Sequence, residues 1–76
     1  MKVLKIDEHE KFYEYFDVET VDETEILSRN GEKVTAEIEI FSENVVITRG
    51  KIIDGLREGR WEHFFDTGEP KGVNEY

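Results

Sequence analysis

The chain has 76 residues, nineteen acids against ten bases, a net charge of −9 and no cysteine. That describes one small domain with a modest core, without disulfides, thiolate chemistry or cysteine-based metal sites. Its field repels nucleic-acid phosphates and anionic lipid and draws basic partners inward.

No apolar stretch approaches the ~20 residues that span a bilayer. The first residues turn acidic after Ile6, unlike a signal peptide, so a cytoplasmic protein is expected. The expected organisation is a single domain, 1–76. Residues 1–26 form an acidic N-terminal part with nine acids and three lysines, and residues 27–76 form a hairpin part with ten acids and seven bases. Nine aromatics and many β-branched residues argue for a folded core rather than disorder.

"MKVLKI" (1–6) reads as a strand. "DEHEKFYEYF" (7–16) has two readings. As a helix, Asp7 and Glu10 resemble a capping box and Phe12, Tyr13, Tyr15 and Phe16 fall on one face. As a strand, Phe12, Glu14, Phe16 and Val18 alternate with Tyr13, Tyr15 and Asp17, and the aromatic density favours this second reading.

"TEILS" (24–28) is expected to pair, across an Asn30-Gly31 hairpin turn, with the strand "KVTAEIEIF" (33–41). In that strand Val34, Ala36, Ile38 and Ile40 share one face, and Lys33, Thr35, Glu37 and Glu39 the other. "SEN" (42–44) makes the next turn. "VVITRGKII" (45–53) is a strand interrupted at Gly50 by a bulge or a close backbone approach. "DGLREG" (54–59) reads as a loop, "RWEHFF" (60–65) as a strand, "DTGEP" (66–70) as a turn and "KGVNEY" (71–76) as a last short strand. The fold class is therefore all-β: a small twisted antiparallel meander of hairpins, with a short helix near residues 7–16 as the alternative for that segment.

Sliding the chain by 24 residues lays "EIFSEN" (39–44) on "HFFDTG" (63–68), Asn30-Gly31 on Asp54-Gly55 and Lys33 on Arg57. A further step lays "YEYFDVET" (13–20) on "EIEIFSEN" (37–44), which makes residues 12–18 a strand. The sharpest copy, "GKIIDGLREGRWEHFFDTGEPKG" (50–72), has Asp54-Gly55, then Glu58-Gly59-Arg60-Trp61, then Phe64-Phe65, then Asp66-Thr67-Gly68. It resembles one unit of the MORN-repeat variant family, which is often antitoxin-like. Gly72 stands 22 residues after Gly50, close to that family's period. The resemblance covers about a third of the chain, and the earlier copies lack the Trp and most of the glycines. It implies a MORN-like sheet and an interaction role rather than an enzymatic one.

Catalytic constellations are sparse. His9 and His63 are 54 residues apart, and His63 reads as an exposed or satisfied strand histidine rather than an acid/base centre. There is no metalloprotease, nucleophile-elbow or phosphate-loop motif, and "DVETVDETE" (17–25) lacks the glycine and spacing of a calcium loop. No catalytic residue, cofactor or metal is expected.

The expected function is that of a small acidic, non-enzymatic protein-binding module. It would be an inhibitor or antitoxin-like protein, a nucleic-acid mimic of the kind carried by phages and mobile elements, docking on a basic protein. The candidate partner-binding residues are Asp17, Glu19, Asp22, Glu23 and Glu25, with Glu37 and Glu39 on the polar face of their strand. Tyr13, Tyr15 and Trp61 are amphipathic aromatics suited to an exposed face. The alternative is a structural module that self-assembles, as a homodimer for instance, with strand 45–53 as its seam.

Overall fold

A computed structural model describes residues 1–76. The chain is mostly β-strand, in antiparallel hairpins that do not close into a barrel. In chain order the elements are β1 (Val3–Asp7), α1 (Phe12–Tyr15), β2 (Asp17–Val21), β3 (Thr24–Arg29), β4 (Glu32–Lys33), β5 (Ala36–Ser42), β6 (Val45–Ile53), β7 (Leu56–Phe64) and β8 (Pro70–Glu75). They form a five-stranded sheet in the order β1-β5-β6-β7-β8 and a three-stranded sheet in the order β2-β3-β4. Strands β5 to β8 are the expected meander, and β1 joins its edge in parallel, with Val3 opposite Glu37 and Ile6 opposite Ile40.

One core lies between the two sheets. Ile6, Ala36, Ile38, Ile52 and Trp61 come from the large sheet, and Phe16, Leu27 and Val34 from the segment that covers it. Leu4, Phe12, Tyr15 and Ile40 pack around this cluster, half-buried. The alternation read from residues 33–41 places Val34, Ala36 and Ile38 inward as expected, with Ile40 half-buried.

That segment is nevertheless not one strand. Lys33 ends β4, paired with Ser28, and Ala36 begins β5 in the other sheet, paired with Ile52. Residues 24–28 therefore pair mainly with β2, and across Asn30-Gly31 only as far as Lys33. The alternation survives the hand-over because both sheets bury the same core.

A ring of three backbone hydrogen bonds fixes the join. The Leu27 amide donates to the Gly55 carbonyl (2.8 Å), the Gly55 amide to the Val34 carbonyl (2.8 Å) and the Val34 amide to the Leu27 carbonyl (3.0 Å). Gly55 is itself buried, with φ +83. A Cβ there would lie 2.9 Å from Ile26 Cγ2 and 3.0 Å from the Leu27 carbonyl oxygen.

Four further expectations are corrected. Residues 12–18 are not a strand: one helical turn spans Phe12–Tyr15 and β2 starts at Asp17. A helical turn places Phe12 and Phe16 on the same side, 5.0 Å apart between ring centroids, and brings Tyr15 against the core as well. Asp7 does not cap this turn. Its Oδ1 accepts from the His9 amide at 2.9 Å, and its carbonyl accepts from Glu10, which makes a separate turn ahead of the helix.

Residues 54–59 are not a loop. Asp54 and Gly55 alone turn, and β7 begins at Leu56. Strand 45–53 is β6, paired on both sides in mid-sheet, and so offers no free edge for an edge-to-edge seam. Gly50 does sit at an irregularity in the β6–β7 register, and a Cβ there would fall among the indole atoms of Trp61.

Candidate functional site

Trp61 and, four residues earlier on β7, Arg57 share the core-facing side, whereas a Cβ at Gly59, where φ is +69, would lie nearest Lys51 Cε. Arg57 stands opposite the buried Ile52, its side chain 14% exposed. A guanidinium there needs a carboxylate and donor-matched partners. Glu25 on β3 supplies the carboxylate: Arg57 Nη1 donates to Glu25 Oε1 at 2.7 Å. Tyr13 completes a triangle, its hydroxyl donating to Glu25 Oε1 at 3.0 Å and accepting from Arg57 Nη2 at 3.2 Å.

The rings of Phe12, Tyr13, Trp61 and Tyr76 surround the guanidinium carbon at 5.1–6.0 Å, within cation–π range. The hydrogen bond from Arg57, helped by that from Tyr13, holds the Glu25 carboxyl below its usual pKa against the opposing effect of burial. Burial works against the Arg57 charge, but the hydrogen bonds with Glu25 and Tyr13 win, so the guanidinium pKa stands above its usual value.

Arg57 thus pins helix, small sheet and large sheet together beneath a cleft of about 490 Å³. Its walls include Tyr13, Glu23, Glu25, Glu58 and Tyr76.

The structure gathers three of the expected site residues, Tyr13, Glu23 and Glu25, around this cleft and disperses the others. Asp22 and Glu23 form the tip of the β2–β3 hairpin, exposed, with φ +49 and +66. Asp17 and Glu19 lie on β2, exposed, on one face of that hairpin with Val21. Tyr15 is half-buried, its ring covered by the Arg29 guanidinium at 3.7 Å.

Glu37 and Glu39 are on the outer face of the large sheet, opposite Lys51 and Arg49 respectively, so bases of their own chain face them. Trp61 is in the core rather than on an exposed face, 4% exposed, its Nε1 donating to the Lys51 carbonyl at 3.1 Å. The largest apolar side chain available fills the space over Gly50, which leaves it no surface to present.

Arg57, Phe12 and Tyr76 are the site residues that sequence reasoning missed. The signal for Arg57 was present. The period-two count from Trp61 would have placed it on the core face had residues 54–59 been read as strand.

A second polar arrangement crosses three strands. Thr48 Oγ1 lies 3.2 Å from His63 Nδ1, and His63 Nε2 lies 2.7 Å from Asn74 Oδ1. With Asn74 Oδ1 accepting, Nε2 carries the proton and Nδ1 accepts from the Thr48 hydroxyl. Both ring nitrogens are satisfied, and the chain ties β6, β7 and β8 together.

No three His, Asp or Glu side chains converge as a metal site, and no helix is long and apolar enough to cross a membrane. Comparison with protein-family models, with curated proteins and with solved structures finds no match for this chain.

Proposed function

We propose that the chain is a small acidic, non-enzymatic binding module that docks on a basic protein in the cytoplasm. In this reading it is inhibitor-like or antitoxin-like, and its carboxylates stand where nucleic-acid phosphates would on a nuclease, polymerase or toxin. The observation that carries the reading is the uncompensated β2–β3 hairpin. Asp17, Glu19, Asp22 and Glu23 are all exposed, and no base lies between residues 17 and 23. By contrast, Glu25, Glu37 and Glu39 each face a base of their own chain.

Tyr13, 57% exposed, and Tyr76, 59% exposed, flank the adjoining cleft. Together with the hairpin tip they offer the aromatic contacts and charge that favour protein recognition.

The test is capture of partners on tagged protein at low and at moderate salt, compared with the Asp22→Lys/Glu23→Lys variant. A basic protein retained by the native chain, weakened by salt and lost by the variant is the expected result. Equal capture by the folded variant would overturn the hairpin as the docking element.

A further inference from the structure

The small sheet leaves one edge open, and the geometry points to its occupant. We propose that β2 is a docking edge for an extended basic segment of a partner protein, which adds as a strand beside it with Lys or Arg at alternate positions. This inference rests on the acidic-module reading above and adds the mode of docking.

The ladder shows which backbone groups are free. Val18 stands opposite Leu27, but Leu27 gives its amide to Gly55 and its carbonyl to Val34, both on its far side from β2. The Val18–Leu27 pair is therefore a non-hydrogen-bonded pair of the antiparallel ladder. The amide and carbonyl of Val18 point away from β3, and so, two residues on, do those of Thr20. An added strand would meet four unpaired main-chain groups in register.

The other edges are guarded, as natural sheets guard them. β4 has two residues. β8 starts at Pro70, carries Lys71 and has a register break at His63/Phe64. β1 centres on Lys5, and its Leu4 shares a groove with Arg29, Asn30 and Lys33 of the β3–β4 hairpin. β2 has five residues, unbroken register, no Pro and no base, and every residue is exposed.

Its only guards are Asp17 and Glu19, which share a face. They oppose a second copy of this acidic strand, since like charges placed opposite one another are destabilising. They favour a segment whose alternate side chains are cationic.

The test is titration of the full chain, labelled for amide resonances, with a seven-residue peptide alternating Val and Lys, and with its Val/Glu counterpart, at low salt. The expected result is binding of the Lys peptide alone, with shifts and slowed hydrogen exchange at the Val18 and Thr20 amides. Thr20→Pro removes an outward amide and no ladder bond. It should weaken the Lys peptide at least about tenfold, the scale of a lost charge-flanked main-chain contact. Asp17→Lys/Glu19→Lys should reverse the preference to the Glu peptide, which keeps the proposal testable if Thr20→Pro does not fold.

Binding mapped to the Tyr13–Tyr76 cleft or to the Glu37–Glu39 face would overturn the edge and leave the acidic-module reading standing. No binding of the Lys peptide at low salt would overturn the edge, and the acidic-module reading would then stand or fall on the capture experiment alone. Shifts at Val18 and Thr20 on raising the protein concentration alone would assign the edge to a second copy and overturn the basic segment.

Discussion

Two residues set the tolerance of this small core. Gly50 lies beneath Trp61, and a methyl group at that position would occupy indole space. Neither can yield easily, because the indole Nε1 is bound to the Lys51 carbonyl and its ring packs edge-on to Phe12 and Tyr76. Gly50→Ala should therefore cost about 1–3 kcal/mol of stability, the usual range for overpacking. The urea midpoint should fall, and the near-ultraviolet signal of Trp61 should change with it. An unchanged midpoint would mean that the indole does not cover this backbone.

The Glu25–Arg57 pair gives stability a pH dependence whose sign follows from the carboxyl. Its folded pKa lies below the usual glutamate value, chiefly because of the hydrogen bond from Arg57. Its contribution is thus fully present above the unfolded pKa and is lost as pH falls through the folded value. Glu25→Gln should lower stability at neutral pH and lose less of what remains between neutral pH and about pH 3 than the native chain does. Glu25 is a third exposed, so added salt should narrow the difference. Parallel acid losses in both proteins would remove Glu25 from the linkage.

At the scale of elements, much of the large sheet was legible because its signals are local. Alternation marked the buried face of β5, and Asn30-Gly31, Glu43-Asn44 and Asp54-Gly55 all turn with positive φ at both residues, as two-residue hairpins require. The 24-residue match holds for the turns at 30–31 and 54–55 and fails at 13–20, where a helical turn replaces the strand. The parallel β1–β5 pairing carries no local signal, since its partners lie more than thirty residues apart. Arg57 was hidden because two nearby glycines made a strand look like a loop.

The Asp22-Glu23 turn has the geometry of the other turns but carries neither Gly nor Asn at its second position. Both residues sit at positive φ, where an L side chain without special tolerance costs roughly 1 kcal/mol or more. Glu23→Gly should raise stability by about 0.5–1 kcal/mol through relief of that strain. If the hairpin tip serves binding, the same change should weaken partner capture. A gain in stability with no loss of capture would make Glu23 an incidental turn residue.

At the scale of the whole molecule, the charge that would favour the proposed docking opposes folding. A net charge of −9 on 76 residues opposes the compact state by self-repulsion, and few internal pairs offset it: the structure holds two salt bridges, Arg49–Glu62 and Arg57–Glu25. Raising ionic strength from about 0.05 M to about 0.5 M shortens the screening length from roughly 14 to 4 Å. That weakens repulsion spread over the surface more than the part-buried Arg57 contact. Stability should therefore rise with salt, read as a higher urea midpoint.

Docking on a basic partner should move the other way, because the same screening removes the attraction that draws cations to Asp17, Glu19, Asp22 and Glu23. The affinity should fall mainly through a slower association rate. Measured side by side on one preparation, the two slopes separate charge-driven docking from a general loss of structure in salt, which would lower both quantities together. Affinity that held or rose with salt would instead place the contact on apolar surface, with Tyr13, Leu56 and Tyr76 around the cleft as its centre, and the acidic hairpin would then be a solubilising face.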